Sequence, residues 1–272
     1  MANAKDVKGI MQHKFLLLGP TGTGKTSQLL TLPGKKFAYL FDPNAILTLR
    51  GNDIEYEEFY PKNLSLDLQS LKKDRGGDTL MGKQRSEVYL AWEKDFDERL
   101  STGFFDDFDV IAIDSITTLL DLIMDRILAI NGRAGSWPQQ DDYGPTMVTF
   151  TNIVRTLTGM GKMIYFTGHL SLEKDELSQQ IYRVPVMTGK LKDKIPLLFS
   201  DIFATECIND GKGGVTYQIQ TVSDRRTPTI RCSVKGLEPF EDVTIDWSKP
   251  IEGQGIGGLL NWEQKQINGG GA

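Results

Sequence analysis

Cysteine and histidine are almost missing from this chain, with two of each among 272 residues. Two thiols, Cys207 and Cys232, are too few for a disulfide framework or a metal knuckle, and they read as reduced core thiols. No hydrophobic run approaches the ~20 residues that cross a bilayer, and the opening stretch MANAKDVKGIMQH lacks the apolar core of a secretion signal. The expectation is a cytoplasmic protein without a membrane partner. A surplus of positive charge is also absent. With 31 Lys and Arg against 36 Asp and Glu, the net charge is −5, which argues against a surface coated for duplex DNA and leaves local basic loops as the means of holding a strand. What remains is ordinary: 39% hydrophobic and 25% charged residues, enough for a large core as one α/β domain or a domain plus appendages.

The most informative stretch is KFLLLGPTGTGKT, residues 14–26, in which four hydrophobic residues run straight into Gly19. It reads as a buried strand feeding a phosphate-binding loop. The octet Gly19, Pro20, Thr21, Gly22, Thr23, Gly24, Lys25 and Thr26 fits G-x-x-x-x-G-K-[ST]. Its glycines let successive backbone N–H groups approach a phosphate, Lys25 brings a charge to the β/γ-phosphates, and the Thr26 hydroxyl suits magnesium. The following TSQLLTLPG, with Ser27 next to the octet, begins as a helix and ends at Pro33-Gly34. A glycine-rich turn that binds nothing is the alternative, but strand, loop and helix agree on a nucleotide site.

Further along, 36–42 (KFAYLFD) reads as a second buried strand ending in the turn Asp42-Pro43-Asn44, which a parallel sheet would place near the phosphates. Residues 53–60 read as another strand, 61–82 as an exposed connection carrying Lys72, Lys73, Arg75, Gly76 and Gly77, and 83–101 as an amphipathic helix with the stripe Val88, Trp92, Phe96 and Leu100. The stretch DVIAIDSITTLL, residues 109–120, is a hydrophobic strand ending in Asp114, the Walker B arrangement, where a carboxylate beside the loop can hold magnesium together with Thr26. Ser115 is placed to cap a helix whose stripe Ile116, Leu119, Ile123, Ile127 and Ile130 runs to Asn131-Gly132.

VIAIDSITTLL resembles the Walker B strand and following helix of RecA-type recombinases, and the later order matches too: a polar loop 131–143, a helix 145–157, and a strand KMIYFTG ending at His169. The resemblance is nearest to phage-encoded RecA-like ATP-binding proteins of the Sak-type single-strand annealing group and covers roughly residues 10–235. It implies a RecA-like P-loop NTPase core, residues 1–249, with a mostly parallel twisted α/β sheet; the runs 199–208 and 215–222 around the turn NDGKGG read as a C-terminal antiparallel hairpin that extends it. Residues 230–234 would add a last strand, and the glycine-rich 250–272 a flexible tail whose Ile256, Leu259, Leu260 and Trp262 dock on a partner.

The same resemblance places His169 as a γ-phosphate sensor, with a plain strand-end histidine as the alternative. It makes 170–196, with Tyr182, Arg183, Lys190, Lys192 and Lys194, a mobile single-stranded DNA loop, and the loop bearing Arg133 and Trp137 its companion. Arg225 and Arg226 would reach the γ-phosphate of a neighbouring subunit in a ring or filament of identical chains. Where the family has a water-orienting glutamate this chain has Asn44, so either Asp42 does the work, or Glu55, Glu57 or Glu58 swings in, or hydrolysis is slow. The leading expectation is an ATP- and magnesium-dependent ATPase handling single-stranded DNA in phage recombination, annealing or replication. A nucleotide-gated scaffold without DNA and a small-molecule kinase are the alternatives.

Overall fold

The computed structural model describes residues 13–269 except 63, 66, 75, 76, 177, 178, 188 and 210. The opening stretch 1–12, Arg75, Gly76, the hairpin-turn residue Asp210 and residues 270–272 lie outside that description.

Among the described residues, the hydrophobic runs fall where strands were expected: β1 (Lys14–Leu18), β2 (Lys36–Leu40), β3 (Glu55–Glu58), β4 (Val110–Asp114) and β5 (Met163–Gly168). β1, β2, β4 and β5 are almost wholly buried, and such continuous apolar runs suit parallel strands covered on both faces. After β8 (Asp201–Asn209), β9 (Val215–Gln220) and β10 (Phe240–Asp242), the sheet has eight strands in the order β10-β9-β8-β1-β5-β4-β2-β3. The pairings from β3 to β8 are parallel, whereas β8–β9 and β9–β10 are antiparallel. Residues 230–234 make only a single bridge, Ile202 with Arg231; the last strand is β10.

The helices are α1 (Lys25–Gln28), α2 (Ala45–Leu49), α3 (Leu80–Ser101), α4 (Ile116–Ile130), α5 (Gln140–Thr158), α6 (Leu191–Lys194) and α7 (Gly255–Gly269). α1 is shorter than the sequence implied and tightens at once into a 3₁₀ turn, Leu29–Thr31, ahead of Pro33. One core packs α3, α4 and α5 on the sheet and the other packs the α1 region and α7 on the opposite face. On α3, Gly82, Ser86, Tyr89, Trp92 and Phe96 are buried along one face, and Leu100, in the last turn, is exposed. Trp92 and Phe96 stack on one another, with Tyr39 and Phe41 meeting Trp92 edge-on, so the half of the sheet beyond β4 rests on an aromatic cluster. Each such side chain contributes roughly 1.5–3 kcal/mol on burial. On α4 the stripe holds as far as Ile127, and Ile130 is exposed. Ser115 precedes α4 but makes no side-chain capping bond, its hydroxyl lying 3.5 Å from that of Thr118.

Several expectations from sequence change here. The supposed flexible tail is helix α7, with Ile256 and Leu260 about 1% exposed. Its glycines serve close approach. A Cβ at Gly257 would sit 1.9 Å from the Thr31 carbonyl oxygen, and one at Gly255 2.2 Å from Gln28 Oε1. Main-chain N–H groups of α7 donate to Gln28 Oε1 (3.0 Å) and Thr31 Oγ1 (3.1 Å), so the segment docks on its own chain. The region 170–196 is no open loop. It forms an antiparallel ribbon of β6 (Leu170–Lys174) and β7 (Ile181–Pro185), then α6. Both cysteines are free, but Cys207 is exposed because β8 outruns β1; Cys232 is half-buried, its thiol pushed up to about 12 by burial and by Asp201. No helix of the described residues is long and apolar enough to cross a membrane.

At the end of the sheet where β1 begins, His13 ties both termini of the domain together. Its Nδ1 lies 2.8 Å from the fully buried Asp201 carboxylate and its Nε2 3.2 Å from Glu263 on α7. Burial opposes the imidazolium, but hydrogen bonding and charge from Asp201 and Glu263 outweigh it and raise His13 above the ordinary 6.5. Burial likewise opposes ionisation of Asp201, yet His13, Ser200 and the Ser233 N–H hold it below 3.8. The histidine's contribution is therefore complete below pH 6.5 and lost as pH rises through its raised value, while the aspartate's is present above 3.8 and lost as pH falls through its depressed value. Thermal melts should show the midpoint declining as pH rises from about 6 towards 9, with His13→Gln flattening that decline. Parallel profiles for the two proteins would show that the pin contributes nothing.

Candidate functional site

A cleft of about 610 Å³ opens at the C-terminal ends of β1, β4 and β2, where strand-end turns of a parallel sheet leave a crevice. The loop after β1 lines it. Gly22 and Gly24 have φ of 80° and 82°, a left-handed geometry that turns consecutive N–H groups to one side and that a side chain resists. Gly19 is required for a different reason: a Cβ there would lie 2.2 Å from Thr205 Oγ1. The loop is braced from β8, because Thr205 Oγ1 is 2.6 Å from Thr23 Oγ1, and Thr23 donates to the Pro20 carbonyl at 2.8 Å. From beneath, the Tyr165 hydroxyl donates to the Lys25 carbonyl at 2.5 Å.

Of the residues singled out in the sequence, Thr21, Gly22, Gly24, Lys25, Thr26 and Ser27 line the cleft together with Asp42, Asp114 and His169. Gly19, Pro20 and Thr23 form the back of the loop, two carbonyls and one hydroxyl of the brace. Lys25 Nζ donates to the Gly19 and Pro20 carbonyls at 2.9 and 2.7 Å. Burial lowers its pKa, partly offset by the charges of Asp114 and Asp42.

Asp114 is 4% exposed and its carboxylate is gripped on both oxygens: Thr26 Oγ1 donates to Oδ2 at 2.6 Å, and Thr167 Oγ1 donates to Oδ1. Burial pushes its pKa up; the two hydroxyls and Lys25 pull down and Asp42 adds to the rise. Both groups are therefore held in surroundings that penalise their charge, so each gains from a counter-charge brought to it: an anion for Lys25, a cation for Asp114. One hydroxyl and one carboxylate in contact fit magnesium, which takes one or two protein oxygens and completes its shell with water and phosphate oxygens. The loop's inward N–H groups fit a polyphosphate.

Asp42 follows β2 after one residue, Phe41. The Phe41 N–H donates to the Asp114 carbonyl at 2.6 Å, which brings the Asp42 turn beside Asp114, and the Asp42 carboxylate accepts the Thr118 hydroxyl. Asn44 sits beyond it with φ 79°. The swinging glutamates do not join them. Glu55, Glu57 and Glu58 lie on edge strand β3, paired with Lys35, Arg99 and Lys62. His169 stands just past β5, between the β1 and β4 ends, its N–H donating to Thr117 Oγ1 at 3.2 Å.

Other singled-out residues fall elsewhere. Arg225 and Arg226 are exposed and outside this chain's cleft; Asp224 accepts the Arg226 N–H at 2.8 Å, and the Arg226 carbonyl accepts the Arg183 N–H at 2.5 Å. Arg133 is a structural cation, 2.6 Å from the buried Asp142, while Trp137 is 91% exposed. Arg183 pairs with Glu206, and Lys192 lies 2.5 Å from Glu173. Reading the sequence missed a whole wall of the cleft: Tyr217 of β9 and Val243, Ile245 and Trp247 after β10. Tyr217 belonged to a strand pattern, and VTIDW carries no motif, so no local signal marked them.

With the phosphate-loop strand flanked by β5 and β8, and Walker B strand β4 one further over, the architecture is that of a RecA-like P-loop NTPase. No curated protein matches the sequence significantly. Among solved structures, the flagellar accessory protein FlaH from Methanocaldococcus jannaschii is 15% identical, over 87% of this chain and 86% of that one, with a TM-score of 0.39. A KaiC-like protein from Pyrococcus horikoshii OT3 is 12% identical over 87% of each, with a TM-score of 0.42. An ATPase from the type III secretion system of pathogenic bacteria is 11% identical over 72% of this chain and 52% of that one, with a TM-score of 0.35. The AAA_24 family, described as an AAA domain, matches residues 11–227. That stretch takes in the phosphate loop, Asp114, His169 and both arginines, and the chain belongs to this AAA-domain family.

Proposed function

We propose that the protein binds ATP with magnesium at this cleft and hydrolyses it. The observation that carries the reading is the contact of Thr26 with Asp114, 2.6 Å, in a cleft that the buried Lys25 also lines. In this reading the loop N–H groups and Lys25 hold the β- and γ-phosphates, and Thr26 and Asp114 hold magnesium, which neutralises charge on the phosphates when bound. Thr167 fixes the carboxylate's orientation through its other oxygen. Asp42, at the turn where RecA-like enzymes carry glutamate, orients the attacking water, and Thr118 holds its carboxylate. His169, between the strand ends, contacts the γ-phosphate and reports its loss to the β6–β7 ribbon that starts at the next residue.

The finer proposal is that chains assemble side by side in a ring or filament, with Arg225 and Arg226 completing a neighbour's site, and that single-stranded DNA is the partner in the cytoplasm of a phage-infected host. Support for the first part is that both arginines are exposed and lie outside their own cleft. Support for DNA is thinner in charge: Lys190 and Lys194 remain, but Arg183 and Lys192 are neutralised by Glu206 and Glu173. Those ion pairs favour the second reading, a nucleotide-gated scaffold without DNA.

Lys25→Ala should weaken a fluorescent ATP analogue roughly ten- to a hundredfold, the worth of about 1.5–3 kcal/mol for a hydrogen bond to a charged group, without lowering the melting midpoint. Asp114→Asn should keep nucleotide binding and lose magnesium-dependent turnover. Unchanged affinity in the first variant removes the reading, and unchanged turnover in the second reduces Asp114 to a strand terminus. Steady-state ATPase assays with and without single-stranded DNA separate the two partner readings, stimulation favouring DNA and indifference the scaffold.

For assembly, the rate per chain should rise with protein concentration, and the double variant Arg225→Ala/Arg226→Ala should lose roughly a thousandfold or more in turnover, the range for a trans-acting arginine. Mixing it with Lys25→Ala protein should restore part of the activity, since one mixed interface joins an intact loop to intact arginines. A rate proportional to concentration, with no recovery on mixing, would show that each chain works alone.

A further inference from the structure

The proposed site accounts for only one flank of the cleft. Asp42, Asp114 and His169 occupy that flank, and Thr26 lies in the middle, in contact with Asp114. Among the described residues that line the cleft, the opposite flank has no carboxylate and no lysine. It consists of Tyr217, Val243, Ile245 and Trp247, with Ser27 and Gln28 at its foot. Val243 and Ile245 are 1% and 8% exposed, so they form a firm apolar backing, while Trp247 presents a large indole that is 59% exposed. Tyr217 stands over the end of the phosphate loop: a Cβ at Gly24 would lie 3.2 Å from its Cδ1.

This wall is held in position by a set of hydrogen bonds to β9, to α1 and to Gln254, the residue before α7. The Tyr217 N–H donates to Thr244 Oγ1 at 2.9 Å, and the Val243 N–H donates to the Tyr217 carbonyl at 2.8 Å, so 243–244 is laced to β9 at the tyrosine itself. Gln28, 2% exposed and two residues past Thr26, donates from Nε2 to the Val243 carbonyl at 2.6 Å and accepts the Ile256 N–H on Oε1 at 3.0 Å. One buried amide thus joins the loop's helix, the wall and α7. Around Trp247, Gln254 accepts the Asp246 N–H at 2.7 Å and donates to the Asp246 carbonyl at 3.0 Å, and Asp246 binds Lys249 at 2.7 Å.

We infer that this wall is the subsite for the nucleotide base, that Trp247 and Tyr217 bind it by stacking, and that Gln28 is the positioning residue that keeps the wall at a set distance from the phosphates. The inference rests on the proposed nucleotide site and deepens it. With phosphate oxygens and metal drawn to the Lys25, Thr26 and Asp114 side, the far end of the ligand is directed to the carboxylate-free flank. A planar heteroaromatic ring gains there from apolar contact and from the faces of two aromatic side chains. The wall side chains are apolar or aromatic, so recognition is by shape and stacking area, and purines are favoured over pyrimidines.

The test measures binding of ATP and of inorganic tripolyphosphate, each with magnesium, to the full-length chain by calorimetry, and follows tryptophan fluorescence. ATP should quench the emission and tripolyphosphate should not. Trp247→Ala should weaken ATP roughly five- to a hundredfold, the range for loss of one base-stacking partner, and leave tripolyphosphate unchanged. Trp247→Phe should keep most of the ATP affinity and lose the quench. Gln28→Ala should move in the same sense as Trp247→Ala, again for ATP only. Equal ATP affinity in wild type and Trp247→Ala, or equal weakening of ATP and tripolyphosphate, overturns the base subsite and leaves the phosphate site standing. Failure of wild type to bind either ligand overturns the nucleotide reading itself. Because Trp247 is exposed, Trp247→Ala is expected to fold, and the wild-type contrast between ATP and tripolyphosphate decides the matter without it.

Discussion

The grip on Asp114 is the constraint on which the rest of the site depends. A carboxylate with 4% exposure is costly to keep charged, and two hydroxyls from different directions, Thr26 and Thr167, make it tolerable. That arrangement exists only because β5 is inserted between β1 and β4. β4 carries the carboxylate, β5 brings Thr167 alongside it, and β1 launches the loop that delivers Thr26. Exchange any two of these strands and the hydroxyls reach something else. The parallel register then places the ends of β1, β4 and β5 at one edge, so that three turns far apart in sequence open on one crevice.

Around this centre the structure spends its polar contacts on stiffness. Thr205 and Thr23 brace the loop from β8, Tyr165 holds it from beneath, and Gln28 and Thr31 weld its helix to α7. α1 is only four residues long, too short to persist by its own hydrogen bonds, and helices of that length rely on tertiary packing. α7 supplies that packing. The helix that looks like an appendage in sequence is thus part of the foundation of the phosphate loop; Gly257 lets its backbone meet that of Thr31 without an intervening side chain, and Gly255 leaves room for the Gln28 amide.

Charge tells a similar story of residues reassigned by their neighbours. Arg133, Arg183 and Lys192 read in sequence as cations free for a nucleic acid, but each faces a carboxylate that arrives from elsewhere: Asp142, Glu206 and Glu173. Glu55, Glu57 and Glu58 are likewise drawn into pairs on the edge strand. The carboxylate that stays beside Asp114 is that of Asp42, whose position follows from the pairing of β2 with β4.

The sequence by itself determined the phosphate loop, the two principal carboxylates and the strands that carry them. These are local features: a loop that needs left-handed glycines must have glycines, and a strand buried on both faces must be apolar throughout. The same locality explains the antiparallel hairpin of β8 and β9, two runs separated in the sequence by a short glycine-rich stretch. Tertiary structure alone decided which partners these groups meet. Thr167 and Thr205 are unmarked threonines in buried strands until the strand order sets them beside Asp114 and the loop. Glycines in 253–258 suit a flexible linker and a close helix contact equally, and only the nearness of Thr31 chooses between them. The aromatic wall at Tyr217 and Trp247 is invisible in sequence, because its members come from segments that share nothing but their place along β9, and long-range pairing leaves no pattern in either segment alone.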